Sequence, residues 1–223
     1  MSQYQLICIS PTWPVILLIL FASHNLQAGQ GGWIDDCQPC KFSISPDKKP
    51  YIFTFNLGIE GGDSVFIKSI SVASPANKKP AQVLPIDFMT PTIKGEQFYF
   101  EVIDINFDGF NDLLLIVAMG SANSYAKYWL YNPASKQFDY LDEFPIFKID
   151  ETTRSLSTYE RGGHGGMIYE RKFYKFVNKK LVVVRAEKQE WVEDKKIYLN
   201  TVKILKNDVL TFLKKTKIQP AKR

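Results

Sequence analysis

Apolar and polar residues alternate with a period of two along most of the chain after residue 50, which is the pattern of half-buried strands. The alternation predicts strands at residues 51–57, 64–72, 97–103, 125–131, 137–141 and 197–205. Residues 167–177 and 181–187 also alternate, and they predict a hairpin across residues 178–180. Helical periodicity is nearly absent, and only residues 207–215 allow a short helix or a fraying end. The sequence therefore predicts an all-β chain, a single domain of antiparallel strands.

One predicted strand breaks the alternation, because residues 113–119 are all apolar, as in a buried strand. It follows a loop with side-chain oxygens at four positions: Asp104, Asn106, Asp108 and Asp112. These are the first, third, fifth and ninth positions of a calcium loop, in which alternate residues point hard oxygen ligands at the ion. Gly109 stands at the sharp turn, where glycine can adopt the left-handed bend, and Phe110 would add its backbone carbonyl.

The loop departs from an EF-hand in two ways. Its twelfth position is Leu115 instead of a glutamate that binds through both oxygens, and no amphipathic helix follows it. The sequence thus predicts an EF-hand-like calcium loop that is not flanked by helices. The alternative is a turn held by hydrogen bonds from Asp and Asn side chains to the backbone, with no ion.

The first 28 residues contain no Lys, Arg, Asp or Glu, and residues 14–22 form an apolar core of nine residues. A membrane span needs about 20 apolar residues, so this core is too short to be one. Leu26, Gln27 and Ala28 make an acceptable cleavage site, and we predict a signal peptide, residues 1–28, that is cleaved after Ala28. An uncleaved anchor is the alternative, because the positive start of a signal peptide is missing apart from the amino terminus. We expect a periplasmic or secreted protein with no membrane span in the mature chain.

Cleavage leaves two cysteines, Cys37 and Cys40, in residues 29–50, which we expect to be a loosely ordered N-terminal segment. An all-β domain at residues 51–213 and a basic tail at residues 214–223 follow it. In an oxidising compartment the Cys-x-x-Cys pair favours a small disulfide loop. A redox motif is less favoured, because no βαβ pattern surrounds the pair, and a zinc site would need a second pair.

Charge is distributed unevenly along the chain. Residues 101–160 hold four basic and ten acidic side chains, whereas residues 161–223 hold seventeen basic and six acidic ones. We interpret the basic excess as a solvated lysine-rich face, since an exported chain without a recognition motif is not expected to bind nucleic acid. The acidic middle suits a cation or a basic protein partner.

The loop after the buried strand is the first candidate partner-binding segment. Ser121, Asn123 and Ser124 supply small hydrogen-bonding groups beside an aromatic residue, Tyr125, a composition common at protein interfaces. For Tyr125 the pattern is equally compatible with exposure and contact with a partner and with burial in the core.

The second candidate segment is the glycine-rich loop at residues 161–166. A phosphate cradle needs a strand before it and a helix after it, and no helix is predicted here. We therefore expect a tight β-turn whose glycines supply positive φ. Its Arg161 and His164 are candidates for contact with a protein partner.

Catalysis is not expected. His164 is the only histidine that remains after cleavage, and no nucleophile motif accompanies it. Paired carboxylates for glycoside cleavage stay open as an alternative, because separation along a sequence says little about separation in space. We predict a protein that is not an enzyme.

The calcium loop with its apolar strand resembles the loops of FG-GAP and integrin-type propeller blades. The longer order of motifs is more specific: the strand is followed by residues 120–125, by residues 128–133, by the glycine-rich loop and by a hairpin ending in residues 181–185. This order, over residues 96–191, is similar to that of a family of exported bacterial calcium-binding proteins. The family includes lysozyme-inhibiting immunity proteins linked to antibacterial type IV secretion.

The resemblance implies a β-propeller-like fold and Ca²⁺ as the bound ion. By motif position it implies a ligand set for the ion, namely Asp104, Asn106, Asp108, Phe110 and Asp112. It also implies inhibition of a lysozyme-like peptidoglycan hydrolase by insertion of a loop, residues 121–125, into the catalytic cleft. We therefore expect a calcium-binding periplasmic inhibitor of the immunity type. The alternative is a non-inhibitory envelope binding module for a surface polymer or protein.

Overall fold

The computed structural model of the chain describes residues 30–33, 39–45, 49–61, 64–74, 76, 80–87, 92–93 and 98–220. The predicted signal peptide, residues 1–28, and Cys37 lie outside the described residues, so the cleavage site and the Cys37–Cys40 disulfide stay predictions. Within the described part, no helix has the length and apolar character needed to cross a membrane.

The described part of the chain folds almost entirely into strands, with two short 3₁₀ turns at His164–Gly166 and Glu193–Lys195. The strands are β1 (Gln30–Trp33), β2 (Cys40–Phe42), β3 (Tyr51–Glu60), β4 (Ser64–Ala73), β5 (Pro80–Pro85), β6 (Thr92–Ile93), β7 (Tyr99–Ile103), β8 (Asp112–Met119), β9 (Ser124–Asn132), β10 (Gln137–Pro145), β11 (Lys148–Asp150), β12 (Ser155–Arg161), β13 (Tyr169–Val177), β14 (Lys180–Val192), β15 (Ile197–Lys206) and β16 (Val209–Ile218). Every strand pair is antiparallel. The predicted all-β class is confirmed.

The strands form three sheets that follow one another along the chain. Sheet I has the order β2-β3-β4-β5, with β6 paired to β4. Sheet II has the order β1-β7-β8-β9-β10, and sheet III is a six-stranded meander from β11 to β16. Apart from β1, each sheet is therefore built from neighbouring segments of the chain.

Sheet II is the middle layer, because both of its faces carry core side chains. One core cluster combines Phe53 and Ile67 of sheet I with Leu113 and Leu115 of sheet II. A second cluster combines Leu114 and other residues of sheet II with side chains of sheet III. Successive residues of β8 point to opposite faces. The unbroken apolar run therefore results from burial of both faces of this strand, and the predicted strand at 113–119 is confirmed, although Met119 at its end is exposed.

The C-terminal strands differ from the sequence-based expectation of a short helix or fraying end at residues 207–215. That expectation is wrong, because Val209–Ile218 forms β16 and pairs with β15. The strand continues to Ile218, inside the segment that the sequence set apart as a basic tail. Asn207 and Asp208 have φ of 48° and 61°, and Lys206 pairs directly with Val209. Two consecutive positive φ values make a two-residue turn that matches the twist of antiparallel strands.

Candidate functional site

The Asp-rich loop, residues 104–111, connects β7 to β8, which lie side by side with Ile103 opposite Asp112. Gly109 has φ of 89° and Phe107 has φ of 63°. The glycine thus takes the left-handed bend that the sequence assigned to it. The loop is a tight connection between two neighbouring strands of the middle sheet.

Three of the predicted ligands lie together in this loop. The N–H of Asp108 donates to Oδ1 of Asp104 at 3.1 Å and to Oδ1 of Asn106 at 2.9 Å. Two side-chain oxygens therefore share one donor and lie close to each other. Nδ2 of Asn106 donates to Oδ2 of Asp108 at 3.0 Å. The N–H groups of Gly109 and Phe110 complete the loop by donating to Asp104 at 2.8 Å and to Asp108 at 2.9 Å.

Asp112 has different surroundings from the other three side chains. Its Oδ2 accepts hydrogen bonds from the N–H groups of Ile105 at 2.9 Å and Asn106 at 3.2 Å. Its Oδ1 accepts from the N–H of Tyr131 on β9 at 2.8 Å. The side chain is fully buried, with 0% of its surface exposed. Asp112, the first residue of β8, therefore connects the loop to the neighbouring strand β9 through backbone N–H groups of both.

Burial also governs the acidity of these carboxyl groups. It raises the pKa of Asp112 to about 8, although the N–H groups of Tyr131 and Ile105 act to lower it; the carboxylates of Asp108 and Asp104 raise it further. Burial likewise raises the pKa of Asp104. A buried carboxylate is costly unless donors or a cation compensate its charge. The loop therefore gathers carboxyl groups whose ionised forms burial disfavours and a cation would stabilise.

The loop is held from both sides by the neighbouring sheets. The N–H of Asn111 donates to the carbonyl of Ile44 at 2.8 Å, and its Nδ2 donates to the carbonyl of Ser43 at 2.9 Å. On the other side, Nη2 of Arg154 donates to the carbonyl of Phe107. The same guanidinium lies 5.8 Å from the centre of the Phe107 ring. These contacts attach the loop to the segment after β2 and to the turn between β11 and β12.

The donor set fits a hard cation in part. Asp104, Asn106 and Asp108 supply side-chain oxygens in one loop, and the carbonyl of Phe110 follows at the expected position, which suits Ca²⁺. Asp112 supplies oxygens that three backbone donors already use. In the described part of the chain, no group of three or more His, Cys, Asp or Glu side chains is arranged to hold a metal ion. The calcium site therefore stays a prediction, with Asp112 as its structural support.

A groove of about 650 Å³ lies beside the loop. Asp108 and Phe110 line it from the loop, and Tyr140 and Lys179 line it from β10 and from the β13–β14 turn. The Tyr140 side chain is 52% exposed and packs at 5.7 Å against the Trp129 ring. The groove thus combines an exposed aromatic surface with charged groups of both signs.

The loop after β8, residues 120–123, lies at the other end of that strand from the Asp-rich loop. The N–H of Gly120 donates to the carbonyl of Asn123 at 2.9 Å, which closes a tight turn. Ser121 and Ala122 at the tip are exposed, and Met119 before them has 58% of its surface exposed. The tip of this loop is therefore small, polar and accessible, with one large apolar side chain at its edge.

The base of the same loop is tied to sheet III. The amide of Asn123 donates to the carbonyl of Arg161 at 3.0 Å and accepts from its N–H at 2.7 Å. The hydroxyl of Tyr125 donates to Oε1 of Glu160 at 2.8 Å, and its ring is half-buried against the larger core cluster. Ser124, the first residue of β9, is also half-buried. Asn123 and Tyr125 thus support the loop, and Arg161 is exposed directly beside it.

His164 lies in the glycine-rich loop, which is a tight turn between β12 and β13. His164, Gly165 and Gly166 all have positive φ, with values of 55°, 65° and 89°. The imidazole is 3.2 Å from the hydroxyl of Tyr198 through Nδ1, and it packs edge-on against the rings of Tyr198 and Trp191. The turn is exposed, so His164 is accessible but already packs edge-on against two aromatic rings.

Sequence reasoning missed three groups that shape these loops: Met119, Arg154 and Glu160. Met119 was counted within the buried strand, and the exposed position at the end of β8 shows only when the strand pairs are known. Arg154 and Glu160 contact residues that are 47 and 35 positions away in the sequence. No local pattern identifies such long-range partners.

Comparison with known proteins gives a likeness of fold. No protein-family model matches the sequence, and no curated protein matches it. Among solved structures, the chain is similar to one described as the structure of a Xanthomonas type IV secretion system related protein. The TM-score is 0.51 at 11% sequence identity, and the alignment covers 84% of this chain and 100% of the other. The chain therefore shares the fold of a protein related to type IV secretion.

Proposed function

We propose that this protein is a calcium-binding, immunity-type inhibitor of a lysozyme-like peptidoglycan hydrolase and that it acts in the periplasm. The ion would be held by Asp104, Asn106, Asp108 and the carbonyl of Phe110, with Asp112 in support. The three successive antiparallel sheets would be the blades of an open, propeller-like array. Calcium would supply charge compensation for the loop, and a second loop would occlude the catalytic cleft of the hydrolase.

The observation that carries the proposal is the exposed tip between β8 and β9. Ser121 and Ala122 are accessible, while Asn123 and Tyr125 fix the base of the loop through hydrogen bonds to sheet III. A rigid base lowers the entropy that a loop loses on entering a cleft. Arg161 lies beside this base and extends the same surface.

Three further observations support the proposal. The strand β8 joins the Asp-rich loop at its first residue, Asp112, to the exposed tip after its last residue, Met119. The similarity of fold to a type IV secretion system related protein is in keeping with a role in the cell envelope. The acidic residues 101–160 would also speed association with a basic hydrolase.

The experiment that tests loop insertion places a large side chain at the tip. Ala122→Arg is expected to lower inhibition of a susceptible lysozyme-like hydrolase at least about tenfold, because the added side chain clashes inside a filled cleft. Ala134→Arg is the matched control, since Ala134 is also an exposed alanine in a hairpin turn, at the other end of β9. Both variants are expected to keep the melting temperature of the parent. Equal inhibition by both variants would exclude insertion of this tip.

The groove beside the Asp-rich loop favours a second candidate function, an envelope binding module for a surface polymer. Tyr140 is exposed there beside Asp108 and Lys179, as in a surface that accepts a polar chain on an aromatic face. This candidate predicts retention of the protein on insoluble peptidoglycan without inhibition of any hydrolase. Tyr140→Ala would abolish retention, whereas Phe212→Ala, which changes an exposed aromatic residue of sheet III, would not.

A further inference from the structure

A second pocket, of about 340 Å³, lies on sheet III and is formed mainly by β11, β12 and β13. The pairing of these strands explains which side chains line it. Lys148 lies opposite Ser157, Ser157 lies opposite Phe173, and Tyr159 lies opposite Arg171. Ser157 and Tyr159 are two positions apart on one strand, so their side chains share a face of the sheet. The pocket thus brings two cations, a hydroxyl and two rings to one face.

Among the residues that the structure describes, the two cations of this pocket, Lys148 and Arg171, form no ion pair. The carboxylate of Asp150, which lines the same pocket, nevertheless interacts electrostatically with Lys148. The Arg171 guanidinium lies 5.1 Å from the centre of the Tyr159 ring, which restricts its position. The hydroxyl of Ser157 is half-buried and, within the same described residues, makes no hydrogen bond. A half-buried donor between two unpaired cations is an arrangement that an anion would complete.

The other polar groups of the pocket already have partners. The carboxylate of Asp150 accepts a hydrogen bond from the N–H of Thr153 at 3.0 Å. The hydroxyl of Ser155 is 2.7 Å from the hydroxyl of Thr153. Asp150 and Ser155 lie opposite each other at the end of the β11–β12 ladder. Among the described residues, the groups left to receive a ligand are therefore Lys148, Ser157, Arg171 and the hydroxyl of Tyr159.

We propose that this pocket binds the carboxylate or phosphate group of a small organic anion. Lys148 and Arg171 would compensate its charge, and Ser157 would donate a hydrogen bond to one of its oxygens. Phe173 and Tyr159 would contact the apolar part of the ligand. The proposal does not depend on calcium or on hydrolase inhibition, since none of these residues belongs to either loop.

Amide chemical shifts of the ¹⁵N-labelled protein test the site, with inorganic phosphate and benzoate as separate probes and sodium chloride at matched ionic strength as reference. We expect saturable shifts at Ser157 and Tyr159 with at least one probe. Saturation by phosphate alone would identify a phosphate ligand, and saturation by benzoate alone a carboxylate attached to a ring. Chloride is expected to cause no saturable change.

The variants Lys148→Gln and Arg171→Gln remove one charge each and keep most of the side-chain length. Each is expected to raise the dissociation constant about tenfold, the effect of losing one charge-assisted hydrogen bond. Lys188→Gln is the matched control, because Lys188 is exposed on the same sheet and paired with Glu190. The proposal is overturned if neither probe gives saturable shifts, or if both pocket variants bind as tightly as the control.

Discussion

The two ends of β8 are built in opposite ways, although a single strand joins them. At its first residue, Asp112, a fully buried carboxylate accepts hydrogen bonds from three backbone N–H groups. At its last residue, Met119, the side chain is exposed and leads into an exposed turn at Ser121 and Ala122. One end is a fixed structural support and the other is free surface. Polar residues thus serve the fold at the first end and are available to a partner at the second.

The largest effect is expected from Asp112→Ala, which removes the acceptor of three N–H groups. Those of Ile105 and Tyr131 are buried and would lose their partner. We expect the free energy of unfolding in calcium-free buffer to fall by about 3–5 kcal/mol, measured by urea denaturation. Asp139→Ala, an exposed carboxylate on β10, is the control and should cost less than about 1 kcal/mol. A similar small loss in both variants would show that other contacts anchor this end of β8.

The next effect concerns the ion itself. With calcium at a hundred times its dissociation constant, binding should stabilise the fold by about 2.7 kcal/mol and raise the melting temperature by several degrees. Asp108→Ala is expected to abolish this rise, because it removes the charged oxygens of one proposed ligand from the loop. Asp142→Ala, which removes an exposed carboxylate of β10, should keep it. An equal calcium-dependent rise in both variants would place the ion outside the Asp-rich loop.

A smaller effect separates the base of the second loop from its tip. Tyr125→Phe removes only the hydroxyl that donates to Glu160, and it should lower the free energy of unfolding by about 1 kcal/mol. Tyr125→Ala also removes a half-buried ring and should cost about 2–3 kcal/mol. Since the hydroxyl is bound to Glu160, Tyr125→Phe is expected to keep inhibition of a susceptible hydrolase. Loss of inhibition at unchanged stability would instead assign the hydroxyl to the partner.

The smallest effect is a dependence of calcium stabilisation on pH. The pKa of Asp112 is raised from 3.8 to about 8 in the folded protein. In calcium-free protein, the stability contributed by its protonated form is therefore complete below pH 3.8 and is lost as the pH rises through about 8. Calcium favours the ionised loop, in which Asp104 also has a raised pKa. The calcium-dependent rise in melting temperature should thus be larger at pH 8 than at pH 5, and an equal rise would contradict proton release on binding.

The middle strand shows how much of the fold the sequence predicts. The unbroken apolar run at 113–119 predicted a buried strand, and the structure explains it by core packing on both faces of β8. Hairpin positions were also predictable from local sequence, because turn residues interrupt the alternating strands, as at Asn178 and Lys179. Strand β16 was missed because its exposed, lysine-rich side chains carry no burial pattern.

The sites were predictable only where they depend on local spacing. The positions of Asp104, Asn106 and Asp108 in one loop follow from the chain, and the structure brings them together. The support role of Asp112 depends on Tyr131, which is 19 positions away on the next strand. Likewise, the hydroxyl of Tyr125 meets Glu160 only because the loop packs against sheet III. Spacing cannot distinguish a ligand from a support when the deciding partner is distant.

The central claim is inhibition, and the most direct measurement is the turbidity of a peptidoglycan suspension treated with a panel of lysozyme-like hydrolases. The protein is added at increasing ratios, once with calcium and once with a chelator. We expect complete inhibition of at least one hydrolase near a one-to-one ratio, and weaker inhibition after chelation. If the folded, calcium-loaded protein leaves every hydrolase of the panel fully active, the inhibitor function is contradicted.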